Sequence, residues 1–180
     1  MLAVVVATLT IGRKWREHHP SGVAAAQPER ASASGAEFSG STMVGDAGAP
    51  VRVIDGDTIA IGEDHVRLFG IDAPEKAQTC EVEGIDSACG DDATRALEQL
   101  IGTSRPTCVE RSRDRYGRAV AVCSVSGRDL GREMVANGWA VAFTRYSQDY
   151  VTEEAAAKAE RRGLWQGRFE RPDVWRAERR

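Results

Sequence analysis

Residues 51–75 read VRVIDGDTIAIGEDHVRLFGIDAPE. Apolar residues recur there in three short runs: Val51 and Val53; Thr58, Ile59 and Ile61; Val66, Leu68, Phe69 and Ile71. Asp55-Gly56 and Gly62-Glu63-Asp64 separate them, so the segment is expected to fold as a three-stranded meander. Beyond it, Ala93, Leu97, Leu100 and Ile101 fall at helical spacing behind the capping candidates Asp91 and Asp92, with Gly102 as a stop. Thr107–Arg111 and Arg118–Val125 read as two strands joined by the polar turn 112–117. Leu130–Asn137, stopped by Gly138, and Thr152–Arg162, stopped by Gly163, read as short helices.

Three strands, a helix, two strands and trailing helices make an α+β domain with about three helices. Five strands in that order are what a small closed Greek-key barrel requires, and an open sheet is the competing topology. The chain has 180 residues, of which 42% are hydrophobic and 28% charged, which allows one globular domain with a tail and excludes collagen-like and repeat architectures. A formal net charge of −3 excludes a protein that clings to polyanions by bulk charge, so a nucleic-acid partner has to be met locally. Residues 51–110 carry 5 Lys and Arg against 13 Asp and Glu, whereas 111–180 carry 15 against 10. An acidic half beside a basic half suits a site where carboxylates hold a cation and guanidiniums hold an anion; chance surface patterning is the plainer alternative.

The apolar run MLAVVVATLTIG (1–12) is shorter than the ~20 residues of a membrane-spanning helix but long enough for the core of a signal peptide. Its basic residues Arg13, Lys14 and Arg16 follow it, which inverts the usual signal-peptide order and favours an uncleaved anchor or a misassigned start. Residues 1–26 are accordingly expected to be a signal peptide or N-terminal membrane anchor, and 27–49, rich in Ala, Gly and Ser, a flexible linker. Four cysteines suit two disulfides in an oxidising compartment, expected as Cys80 with Cys89 and Cys108 with Cys123; a zinc site or free thiols are the alternatives. The location this implies is secreted, periplasmic or membrane-anchored outside the cytoplasm.

Val53-Ile54-Asp55-Gly56-Asp57-Thr58, Arg67-Leu68-Phe69-Gly70-Ile71-Asp72-Ala73-Pro74-Glu75 and Asp114-Arg115-Tyr116-Gly117-Arg118 carry the most specific signal. Together they resemble the thermonuclease family, the calcium-dependent staphylococcal nuclease-like phosphodiesterases with an oligonucleotide-binding (OB-fold) barrel. The resemblance covers roughly Val51–Trp165 and implies a five-stranded OB-fold domain over 50–180. It also implies that Asp57, Asp72 and the backbone of Ala73 hold calcium (Ca2+), that Glu75 acts on the attacking water, and that Arg67 and Arg118 grip the phosphate. Tyr116 matches a phosphate-contacting tyrosine, and Phe143 or Tyr146 would give a base a stacking face. The implied reaction is calcium-dependent hydrolysis of DNA or RNA, preferably single-stranded, to 3′-phosphate and 5′-hydroxyl ends; separately from the resemblance, a monomer is expected.

The residue types suit that chemistry on their own terms. A hard divalent ion takes carboxylate and carbonyl oxygens and leaves positions open for a phosphate oxygen. Forked guanidinium donors match the charge that develops on a phosphodiester under attack. Taken singly, each residue also has a structural reading: Asp55-Gly56-Asp57 is ordinary turn chemistry, Asp72 can cap a turn, and Arg67 can face solvent or a polar pocket. The competing function is a non-catalytic single-stranded nucleic-acid-binding OB-fold module, which would have no use for Arg67, Glu75 and Arg118 together. A calcium-stabilised interaction protein is a third reading. Trp165, Phe169 and Trp175 are expected to pack against the barrel.

Overall fold

The structure, a computed structural model, describes residues 48–179. The leader or anchor expected over 1–26, and all but the last two residues of the linker, lie outside the described residues. β1 (Val51–Asp55), β2 (Thr58–Ile61) and β3 (Asp64–Leu68) form the expected antiparallel meander. Alternation buries Ile59, Ile61, Val66 and Leu68 in the main core, where each removes apolar surface from water. The run read as one third strand divides. Gly70, at φ +75°, turns the chain after Leu68, and a Cβ there would stand 3.0 Å from the Tyr150 ring.

The next two residues form β4 (Ile71–Asp72), followed by a hairpin of β5 (Cys80–Val82) and β6 (Ile85–Ser87). That hairpin, closed by the Cys80–Cys89 disulfide, is not announced by its mixed polar sequence. α1 (Cys89–Ile101) begins before the expected caps: Asp91 and Asp92 lie in its first turn, where their charge meets the positive end of the helix. β7 (Thr107–Arg113) and β8 (Ala119–Val125) are the second expected hairpin, and Cys108 faces Cys123 in register and is bonded to it. β9 (Arg128–Asp129), α2 (Leu130–Ala136), β10 (Val141–Ala142), α3 (Val151–Ala159), a short 3-10 turn (Gly163–Gln166) and α4 (Pro172–Glu178) complete the chain. Val141 pairs with Asp72, and Ala142 with Ile71.

The fold is α+β, with strand order β1-β2-β3-β8-β7 and β9 on the other end of β8. The meander and the second hairpin are the expected ones, joined through β3 and β8, but the closed barrel is not seen: the ladder ends at β1 and β7, and α1 packs against β1. Among the described residues there are four α-helices, where about three were expected. α4 escapes a periodicity reading because its seven residues bury only Pro172, which starts the helix at a position where its missing N–H costs nothing. Both expected disulfides form, and the Cys108–Cys123 bridge, spanning 15 positions, contributes about 3 kcal/mol by restricting the unfolded chain. Two disulfides suit an oxidising compartment. Among the described residues no helix is long and apolar enough to cross a membrane.

The C-terminal aromatics do not join the main core as expected. Phe169 packs on a second, small cluster of Cys80, Cys89 and Leu164, with Trp165 edge-on to it at 4.9 Å. Trp175 lies outside both clusters, its ring 4.4 Å from the Arg179 guanidinium. The tail is drawn to the stapled hairpin because Glu81 and Arg168 exchange two backbone hydrogen bonds of 2.8 Å.

Candidate active site

The turn between β1 and β2 supplies the first carboxylate. Asp55 Oδ1 accepts the Asp57 N–H at 3.0 Å, a local side-chain turn that aims Asp57 inward. Gly56 makes this possible, since a Cβ would come within 2.7 Å of the Ala73 Cβ and 2.8 Å of the Ala93 Cβ. The turn therefore lies against β4's exit and α1. Asp57 Oδ2 accepts the Ala73 N–H at 3.0 Å, and Oδ1 accepts Thr58 Oγ1 at 3.0 Å.

Arg67 in β3 projects opposite its buried neighbours Val66 and Leu68 into a polar pocket, resolving the alternative its position leaves open. Its Nη1 donates to Asp57 Oδ1 and its Nη2 to Asp72 Oδ1, both at 2.7 Å. Asp57 and Asp72 are nearly sealed from solvent, with side chains 4% and 1% exposed. A guanidinium bridging two buried carboxylates offsets much of the cost of burying the charges. Burial, then the Asp57 charge, push the neighbouring Asp55 carboxyl up to about 6. Burial likewise raises Asp72 above its ordinary value, against the pull of Arg176 and Arg67. Arg67 is raised too, since the Asp57 and Asp72 charges together outweigh the burial that opposes its own charge.

Glu75 follows on the loop after β4. Its N–H donates to Gln78 Oε1 at 3.3 Å, and its Oε1 accepts from Arg176 at 2.7 Å, leaving Oε2 without a hydrogen bond among the described residues. Gly90 holds that loop close to α1, for a Cβ there would stand 1.9 Å from the Glu75 carbonyl oxygen. On the far side, Asp114 organises the turn 114–118: its Oδ1 accepts the N–H groups of Tyr116 and Arg118 and its Oδ2 accepts Arg118 Nε at 2.7 Å. Those bonds lower the Asp114 carboxyl, slight burial opposing them. Arg118 is thus oriented through Nε, and no hydrogen bond among the described residues engages its Nη groups.

Arg67, Glu75, Arg118, Tyr116, Phe143 and Tyr146 all line one open cavity of about 720 Å3. Asp57 and Asp72 stand just behind it, joined to it through Arg67. Tyr116 and Tyr146 are the exposed aromatics, about 70% open, and Phe143 meets Tyr146 edge-on at 5.0 Å. Ala73 enters through its amide, which binds Asp57. The four cysteines lie outside the cavity.

Two functional groups are missing from the sequence reading. Asp55, read as a turn residue, lines the cavity. Arg176 reaches the site from α4, with Nη1 on Asp72 Oδ1 (3.0 Å) and Glu75 Oε1, and Nη2 on Asp72 Oδ2 (2.9 Å). The Asp72 and Glu75 bonds raise its pKa above its already high value against the effect of burial. The only signal for it in the sequence is the excess of arginine near the C-terminus.

The donor set fits a hard divalent cation in kind and charge: Asp55, Asp57, Asp72 and Glu75 bring four carboxylates against the guanidiniums of Arg67 and Arg176, leaving two negative charges over when all are ionised. In arrangement, the carboxylates are drawn onto those arginines, and no three of them, among the described residues, are gathered at one point.

A family profile described as Staphylococcal nuclease homologue matches residues 65–167, more than half of the chain. The chain belongs to that family. The staphylococcal nuclease homologue match starts after the Asp57 turn and stops before α4, so Asp55, Asp57 and Arg176 come to the site from outside it. Similar proteins include succinoglycan biosynthesis protein ExoI of Rhizobium meliloti (strain 1021), 38% identical over 76% of this chain and 76% of its own. A protein of Escherichia coli O157:H7 named an uncharacterized endonuclease is 33% identical over 72% of this chain and 84% of its own. The probable staphylococcal-like nuclease CAN1 of Oryza sativa subsp. japonica is 30% identical over 77% of this chain, which spans only 40% of that relative.

Proposed function

We propose that this chain is a calcium-dependent phosphodiesterase that hydrolyses DNA or RNA, preferably single-stranded, to 3′-phosphate and 5′-hydroxyl ends. The observation that carries the reading is the convergence of Glu75, Arg67 and Arg118 on one cavity, with Asp57 and Asp72 hydrogen-bonded behind them. Family membership and relatives named as nucleases support it. Asp57, Asp72 and the Ala73 backbone would hold calcium, which when bound supplies Lewis-acid polarisation of a phosphate oxygen.

The chain's own groups do the rest. Arg118, fixed through Nε, offers its Nη donors to the non-bridging oxygens as the phosphorus becomes pentacoordinate. Glu75 Oε2, without a hydrogen bond among the described residues, accepts a proton from the attacking water, whose oxygen bonds to phosphorus while the P–O5′ bond breaks and O5′ takes up a proton from solvent water. Tyr116 sits between Arg115 and Arg118, 4.8 and 5.6 Å from their guanidiniums, and contacts the phosphate; Phe143 and Tyr146 give a single-stranded base a face to stack on. The exposed rings of Tyr116 and Tyr146 suit unpaired bases, whose faces are free to stack, better than a duplex. The protein acts as a monomer, secreted, periplasmic or held outside the cytoplasm by an N-terminal anchor over 1–26, where its disulfides persist.

Product ends test the bond that is cut. A 5′-labelled single-stranded oligonucleotide digested in calcium is expected to give fragments whose mobility shifts on treatment with a 3′-phosphatase. Fragments that resist the phosphatase and carry 3′-hydroxyls would place the cut on the other side of phosphorus and remove this assignment.

A further inference from the structure

Arg176 grips the two acidic residues through which a metal and a water would be handled. Its fork takes both oxygens of Asp72 and one of Glu75, at 2.7–3.0 Å, while Arg67 Nη2 shares Asp72 Oδ1. Asp72 is fully buried, so two guanidiniums account for its whole carboxylate.

The grip is anchored close to where it acts. The segment leading to α4 is paired with β5 through the Glu81–Arg168 backbone bonds and a side-chain ion pair of 2.7 Å. Buried Gln78 ties the same segment to the catalytic loop, its Nε2 donating to the Glu170 carbonyl at 2.7 Å while its Oε1 receives the Glu75 N–H. The tail and Glu75 thus hang on one residue. Arg176 is therefore set by the fold at Asp72 and Glu75, not by a wandering surface side chain, and its side chain is only 26% exposed.

A divalent cation approaching Asp72 must displace these charge-assisted bonds or sit beside a like charge at short range in a partly desolvated site, and either is costly. We infer that Arg176 is an internal counter-cation that competes with calcium for Asp72 and Glu75 and so sets the metal affinity of the site. The inference rests on the calcium reading above and extends it to a residue outside the family match.

The test is calorimetric titration of calcium into the full chain without nucleic acid, for the wild type, Arg176→Gln and Arg176→Lys. Arg176→Gln is expected to bind calcium tighter by on the order of tenfold, and Arg176→Lys, which keeps the charge but loses the fork, to fall between. Equal or weaker binding by Arg176→Gln overturns the inference and leaves the calcium reading standing. Should that variant fail to fold, Arg176→Lys decides by the same criterion, tighter binding supporting and equal or weaker binding overturning. No calcium binding by any form overturns the inference and the calcium reading together.

Discussion

Glu75→Gln is expected to lower kcat on single-stranded DNA by roughly 10²- to 10⁴-fold, the range that a positioned proton acceptor contributes. The substitution is narrow. Glutamine keeps the side-chain volume and an oxygen for Arg176 Nη1, so the loop geometry, held by the Gln78 contact and the close approach of Gly90, has no reason to move. What is lost is the basic oxygen, Oε2, which makes no hydrogen bond among the described residues. The variant should retain the wild-type melting temperature within a few degrees, separating chemistry from folding. Steady-state rates on one oligonucleotide check it, and a kcat near that of the wild type would remove Glu75 from proton transfer.

Arg67→Gln is expected to reduce stability by about 3–5 kcal/mol, the cost of leaving a buried charge without its partner. The loss falls mainly on Asp57. Asp72 keeps the fork of Arg176, whereas Asp57 retains only neutral donors, Thr58 Oγ1 and the Ala73 amide. For a domain of this size the melting temperature should drop by on the order of 10 °C, and calcium should restore part of it, because a bound cation replaces the missing charge. Thermal unfolding with and without calcium measures both. An unchanged melting temperature would mean that Asp57 sheds its charge or reaches water when Arg67 is gone, contrary to the ion-pair network described above.

The meander, α1 and the β7–β8 hairpin were legible because their apolar residues repeat at two or at three to four positions over long enough runs. Cys108 and Cys123 were legible for the same reason, falling on runs that pair, whereas Cys80 and Cys89 were legible only as a pair that closes a short glycine-containing loop. The parts that escaped are short or polar. β4, β9 and β10 are two residues each, and their existence depends on distant partners, such as Val141 against Asp72, which no local pattern announces. Whether a sheet closes is decided by what packs on its edge; here α1 covers β1, a choice made by tertiary packing.

The site was legible to the extent that its residues lie in compact motifs. Asp57, Arg67, Asp72, Glu75 and Arg118 stand within three short segments, and the fold gathers them. Their partners were not. Arg67 makes its bonds to carboxylates and Arg118 is the guanidinium left open, a division of labour that depends on side-chain direction in β3 and in the Asp114 turn. Arg176 lies 104 positions from Asp72, in a helix without an apolar stripe, and only the folded tail brings it there.

Release of acid-soluble fragments from heat-denatured DNA by the full chain, in calcium and in a calcium chelator, tests the central claim most directly. Release in calcium that stops with the chelator is the predicted result. Equal release in both would contradict the calcium requirement, and no release in either, from folded protein, would contradict catalysis and leave a single-strand-binding module.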